Sequence, residues 1–244
     1  MAFEDFRSKC IAIFAKNSFL PTPNEDQITK LYELTNIMLD VNKNMNLTAI
    51  TEESAVILKH FADSVSISNE IPTGASLIDV GCGAGFPSLP LAIFRPDITI
   101  TALDSTTKRI EYVRSTAKAL GLNNVTAISA RAEEYANQAT LRESFDVATA
   151  RAVASMPILC EICLPFVKIG GKFIAMKAAQ GFSEAEISKK AATTCGGEIA
   201  EVKELFLSAP DSALERRAVI TVKKLSITPQ KYPRHYSQIS KKPL

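Results

Sequence analysis

Leu77-Ile78-Asp79-Val80-Gly81-Cys82-Gly83-Ala84-Gly85-Phe86-Pro87 is the stretch that decides how the rest of the chain is read. An apolar run broken by one acid meets glycines at every second position, and a helical pattern follows. That order is strand, tight turn and helix N-terminus, the opening half of a βαβ nucleotide-binding unit. Glycine lets the backbone turn sharply and lets a ligand approach bare main chain. The dinucleotide fingerprint is G-x-G-x-x-G, whereas this is G-x-G-x-G, with Phe86 where the third glycine would stand. Asp79, two residues before the first glycine, is not part of that fingerprint either. Asp79, Gly81, Gly83, Gly85 and Phe86 are therefore the first candidate ligand contacts.

Outward from the turn, apolar runs and helical patterns alternate. Strands are predicted at 76–80, 98–103, 124–129, 145–150 and 171–177, near-continuous apolar runs of the kind buried in a parallel sheet. Helices are predicted at about 87–94, 106–120, 131–138, 153–167 and 183–194. Two last strands, 199–207 and 215–224, have only the connector 208–211 between them and read as an antiparallel pair. The fold class is α/β and Rossmann-like, a seven-stranded, mostly parallel sheet ending in that pair. Before it, Phe3, Phe6, Cys10, Ile13 and Phe14 mark one helix, and Ile28 to Leu39 mark a second, opened by a capping pair at Asn24 and Gln27. Residues 42–48 read as a polar loop, and Thr51 as the cap of a third helix to about Ser68. The expected division is 1–70 as a helical appendage, 71–225 as the sheet domain and 226–244 as a basic tail.

The chain has 244 residues, 46% of them hydrophobic and 22% charged, ordinary for a globular protein. No apolar run approaches the roughly 20 residues needed to span a bilayer. Charges among residues 1–16 argue against a signal peptide. Five cysteines without framework spacing suggest reduced thiols and a cytoplasmic location. Two distant histidines and Cys160-x-x-Cys163 without a partner pair do not make a metal site. The net charge of +2 hides an asymmetry: no acid follows Glu215, so the remainder carries +8 and residues 1–215 carry −6. A basic end on a slightly acidic body suggests a polyanionic partner, or simply a solvated tail.

In an open α/β sheet, ligands bind at the carboxyl ends of the strands, near the point where the strand order reverses. The second strand ends at Asp104, placed either to accept bonds from ribose hydroxyls or to cap the next helix. The third ends in Ser129-Ala130-Arg131-Ala132-Glu133-Glu134. There the Ala132 amide and Glu133 can bracket an adenine edge, or the acids can simply favour a helix N-terminus. The fourth ends at Arg151, which needs an anion: Asp79, a ligand carboxylate or an RNA phosphate. His60 and Asp63, three residues apart on a helix, could pair locally. Cys160 and Cys163 sit in an apolar helix and read as structural, which removes the nucleophile that pyrimidine C5 methylation requires. No Asp/Asn-Pro-Pro-aromatic turn ends the fourth strand, and no histidine sits at a strand end as a base.

The glycine turn resembles the first motif of S-adenosylmethionine-dependent methyltransferases, and a longer set of residues is similar to one family of them. Asn46-Leu47-Thr48, His60-Phe61-Ala62-Asp63-Ser64, Asp79 to Pro87, Leu103-Asp104-Ser105, Lys108-Arg109, Arg131 to Glu134, Ala150-Arg151-Ala152-Val153 and Lys241-Lys242-Pro243-Leu244 resemble the bacterial 16S ribosomal RNA small-subunit methyltransferase G family, also called glucose-inhibited division protein B. The resemblance implies S-adenosyl-L-methionine as cofactor, with contacts at Gly81, Phe86, Ala132, Glu133 and Arg151. It implies transfer of a methyl group to N7 of a guanine in 16S ribosomal RNA, free or within the small ribosomal subunit. Asn46, His60, Asp63 and Arg151 are then expected on the acceptor side, and Arg234, Lys241 and Lys242 on RNA phosphates. The tail departs from the family's usual Tyr-Pro-Arg-Arg/Lys-x-Gly, reading Tyr232-Pro233-Arg234-His235-Tyr236-Ser237, and Ala178 stands where glycine often follows the strand-five lysine. Neither departure is expected to reach the cofactor site. The rival readings are a nicotinamide-dependent oxidoreductase, which the glycine spacing disfavours, and a non-catalytic ribosome-assembly protein.

Overall fold

The alternating runs become β1 (Ser76–Val80), β2 (Thr99–Asp104), β3 (Val125–Ser129), β4 (Phe145–Arg151), β5 (Val167–Ala178), β6 (Gly197–Leu207) and β7 (Glu215–Lys224). They form one sheet of order β3-β2-β1-β4-β5-β7-β6. The first five pair in parallel, and β7 runs antiparallel to both β5 and β6. The computed structural model describes residues 2–210 and 213–244, so Asp211 of the connector lies outside the described residues. The strand order reverses between β1 and β4, which leaves a crevice at their carboxyl ends.

Helical segments are α1 (Phe3–Lys16), α2 (Glu25–Met45), α3 (Glu53–Val56), a π-helical turn (Ile57–Ala62), α4 (Asp63–Val65), α5 (Ser88–Phe94), α6 (Thr107–Ala119), α7 (Ala132–Tyr135), α8 (Met156–Cys163), α9 (Gly181–Ile187), α10 (Lys189–Thr194) and α11 (Tyr236–Lys241). The Asn24–Gln27 capping box is present. Several boundaries differ from expectation for local reasons. The predicted loop at 42–48 begins as helix: α2 continues to Met45 and stops where Asn46 takes a left-handed conformation, φ 50°, one that asparagine tolerates. The Asn42 side chain then clasps Thr48, donating to its carbonyl and accepting from its amide, both at 2.9 Å. The third helix is capped by Glu52 rather than Thr51, through bonds from the Ser54 and Ala55 amides. Strand β5 starts four residues earlier than predicted because it runs through a bulge at Gly170-Gly171. A side chain at Gly171 would meet the Asp146 carbonyl at 2.5 Å, so only glycine lets the strands close there.

The sheet buries both faces, and adjacent residues of one strand serve different cores. Leu77 joins a cluster with Ile100, Val147 and Ile174, while Ile78 joins one with Ala148, Phe173 and α8. The first cluster takes in Phe6, Phe14, Leu31, Met38 and Phe61, so residues 1–70 share one core with the sheet. Phe14 lies stacked on Phe94 at 5.5 Å.

The basic tail is folded back rather than solvated. Arg142 donates to the carbonyls of Thr228 and Tyr232. Lys224, fully buried at its side chain, bonds the Leu164 carbonyl and Thr228 and pairs with Glu143. Ile239 of α11 is fully buried. Arg234 lays its guanidinium on Glu161 of α8 in a two-point contact (2.8 and 2.6 Å), and its amide adds a third bond at 3.0 Å. Glu161 is wholly buried, so an arginine at the sheet's rear is what makes its charge tolerable. Arg234→Ala is expected to lower the unfolding free energy by about 3 kcal/mol, since it strands the buried Glu161 carboxylate. Urea denaturation checks this, and a change under about 1 kcal/mol contradicts the anchoring role.

Candidate active site

Gly81 follows directly on β1, its amide held by the Leu103 carbonyl at 2.7 Å. All three glycines of the turn have positive φ, of 77°, 56° and 82°, which favours residues without a Cβ. Each answers to a different neighbour. A Cβ at Gly81 would stand 2.6 Å from Val153, and one at Gly85 would stand 2.6 Å from Leu89. At Gly83 it would meet nothing within 4 Å, so that backbone faces open space. Across the crevice Ala152, a non-glycine residue, is held at φ 55°, a left-handed strain of about 1 kcal/mol. Backbone held in such regions clusters at binding and catalytic sites.

Two cavities meet at Gly81, Arg109 and Ala152, which line both. The smaller, about 360 Å³, is walled by Asp104, Arg131, Ala132, Glu133 and Tyr236, among others. Asp104 accepts from the Gly83 amide at 3.0 Å and from the Thr106 amide at 2.8 Å. Each of its oxygens keeps a second lone pair, so bracing the turn and accepting from hydroxyls are compatible. Glu133 is buried and accepts from Arg131 at 2.8 Å.

The larger cavity, about 620 Å³, lies between the N-terminal helices and the ends of β4, β5 and β7. His60 stacks on Phe86 with ring centroids 4.5 Å apart and planes within 5°. Its Nε2 lies 2.9 Å from Thr48 Oγ1, while Nδ1 is buried without a partner. Burial and the neighbouring Arg151 push its pKa down to about 3, so the ring stays neutral. Asp63 does not pair with His60. Arg151 Nη1 donates to one Asp63 oxygen at 2.8 Å and Arg217 Nε to the other at 3.1 Å. Arg151 also donates to the Lys59 carbonyl, 2.9 Å away in the π-helical turn. Glu215 holds Lys59 and Arg217 at 2.8 and 3.1 Å.

Of the expected site residues, Gly81, Asp104, Ala132 and Glu133 gather at the smaller cavity, and Gly83, Phe86, His60, Asp63 and Arg151 at the larger. Asn46, Asp79 and Gly85 line neither. Asn46 terminates α2, and its neighbours Leu47 and Thr48 reach the cavity instead. The anion met by Arg151 is Asp63, not Asp79. Asp79 turns beneath the glycine turn to accept from Ser88, through both its hydroxyl and amide, at the start of α5. Arg217 and Lys59 were not singled out from sequence, and Ala152 and Tyr236 were quoted there without a site role. Arg217 stood in the acid-free end, and only the β5–β7 register, which sets it opposite Ala178, brings it to the crevice. Tyr236, part of the tail's departure from the family pattern, lines the smaller cavity.

The residues fit S-adenosylmethionine. The open backbone at Gly83 and a carboxylate after each of two strands, Asp104 and Glu133, form a polar cradle. Desolvation pushes the Asp79 carboxyl up to about 6. An acid raised in the folded state gives stability at low pH that is lost as pH rises through that value. The cofactor-free chain is therefore expected to be about 1–2 kcal/mol more stable at pH 5 than at pH 7.5 relative to Asp79→Asn. Urea titrations of both proteins at both pH values measure the difference, and parallel pH slopes would contradict it.

Comparison with known proteins places the fold and the family. The chain superposes on the M. jannaschii TYW2 structure in complex with AdoMet with a TM-score of 0.53, at 16% identity over 67% of this chain and 75% of that one. A SAM-dependent methyltransferase from Aquifex aeolicus gives 0.51 at 17% identity, covering 70% and 93%. At such identity these establish the fold alone. Ribosomal RNA small subunit methyltransferase G of Alkaliphilus metalliredigens is 43% identical over 223 residues, 91% of this chain and 92% of that protein. The protein of that name from Acetivibrio thermocellus is 41% identical over 242 residues, covering 99% and 98%. The family model described as rRNA small subunit methyltransferase G matches residues 27–212, and the chain belongs to that family.

Proposed function

We propose that the chain transfers the methyl group of S-adenosyl-L-methionine to N7 of one guanine in 16S ribosomal RNA, in the cytoplasm, with the rRNA or the small subunit as its partner. The observation that carries this is the meeting of two cavities at Gly81 and Ala152, one shaped for a nucleoside and one rimmed by Arg151, Arg217 and Lys59. Asp104, Ala132 and Glu133 hold the nucleoside end, and the Gly81–Gly83 backbone lies along the crevice. Bound cofactor supplies a sulfonium methyl that is electrophilic without further activation.

What the chain's own residues add is alignment and exclusion of water. Phe86 and His60 present a stacked apolar wall, with Arg151 5.5 Å from the Phe86 ring. The acceptor chemistry follows from what the site lacks in basicity. His60 is held neutral, but its unpartnered nitrogen is buried and its other nitrogen is committed to Thr48. Cys82, which lines the larger cavity, has its thiol pushed well above the ordinary range by burial and by Asp79, which disfavours a thiolate attack on a pyrimidine. Guanine N7 carries an exposed lone pair and needs no proton removed. Lys241 and Lys242, both exposed on the folded tail, supply non-specific phosphate attraction.

The test uses small subunits from cells lacking this chain, incubated with the purified protein and S-adenosylmethionine. Mass spectrometry of rRNA fragments is expected to show one added methyl on one guanosine, sensitive to borohydride and aniline as N7-methylguanosine is. A methyl elsewhere, or none on any particle or free rRNA, overturns the proposal. Arg151→Ala is expected to lower the single-turnover rate by about a hundredfold, and unchanged rate and cofactor affinity would remove the role given to Arg151.

A further inference from the structure

The geometry points to Tyr236 as the aromatic wall that closes the cofactor's nucleoside cavity, delivered there by the folded-back tail. It rests on the cofactor assignment above and adds a positioning residue from a segment otherwise reserved for RNA. Tyr236 opens α11, is half-buried and lines the smaller cavity together with Asp104, Ala132 and Glu133. The Arg131 guanidinium stands 5.6 Å from its ring centroid while its Nε bonds Glu133. Tyrosine, arginine and glutamate thus form one continuous wall from the tail to the carboxylate at the third strand end.

The placement is held from several sides. Arg234, two residues earlier, is fixed on the buried Glu161 and also donates to the Lys242 carbonyl at 3.1 Å. Ile239, one turn later, is fully buried, and Leu244 packs against the same core. A tail anchored before and after Tyr236 brings its ring to the cavity with little rotamer freedom left to lose on binding. An aromatic face there offers stacking to any base, worth a substantial share of a nucleoside's affinity. Nothing else in the smaller cavity is aromatic among the described residues.

Calorimetry with S-adenosylhomocysteine and with 5′-methylthioadenosine, in the absence of RNA, tests this on the full chain. Tyr236→Phe is expected to bind both within about twofold of the parent, and Tyr236→Leu and Tyr236→Ala about tenfold more weakly. The loss should be equal for the two ligands, because methylthioadenosine keeps the nucleoside and lacks the amino-acid end. Tyr236→Leu preserves apolar bulk, so its melting temperature without ligand reports whether the tail still packs. Parent-like affinity in Tyr236→Leu, or a loss confined to S-adenosylhomocysteine, overturns the assignment. Failure of the parent protein to bind either ligand overturns the cofactor reading itself.

Discussion

The Asp63 carboxylate ties the two halves of the molecule together. It sits on the helical segment that precedes the sheet and accepts from guanidiniums on β4 and β7. Two arginines at that spacing would repel each other across a half-buried cleft without a shared anion, and an unpaired carboxylate there would be costly to bury. With the three in place, the N-terminal helices, the central strand and the antiparallel pair converge on one wall of the larger cavity. Arg151, Arg217 and Lys59 all line that cavity.

The π-helical turn at Ile57–Ala62 belongs to the same arrangement. Its wider winding brings the Lys59 carbonyl to Arg151 and His60 onto Phe86. Such turns recur at functional sites because they re-aim side chains within an otherwise regular helix. The strained Ala152 and the three positive-φ glycines face each other across the switch point. Four of the positive-φ residues among those described thus border the crevice. Both cores, well packed on either face of the sheet, supply the rigidity that holds them.

How much could be read beforehand depended on how local the cause was. Gly81-x-Gly83-x-Gly85 after an apolar run specifies a turn through its own φ angles, and Asp104 lies near it because parallel strands have a fixed crossover. Asp79 stands two residues before the first glycine, a distance that says nothing of where its carboxyl points. Its carboxyl turns to Ser88, nine residues on, which only the fold of the turn could reveal. Arg234 has a partner of a second, more distant kind. A basic residue in a basic tail suggests phosphate, yet Glu161 lies 73 residues away in an apolar helix and claims it.

Alternating apolar runs, glycine spacing and helix caps determined the sheet, its antiparallel end and the place of the crevice, because each is a short-range consequence of backbone sterics and side-chain periodicity. Family resemblance named the chemistry on the same residues. Tertiary structure alone decided which charges meet. The sharing of Asp63 by Arg151 and Arg217, the pairing of Arg234 with the buried Glu161 and the arrival of Tyr236 at the smaller cavity join residues from 73 to more than 150 positions apart or from separate elements. Their partners are chosen by packing and desolvation in the assembled core, and no local pattern encodes that choice.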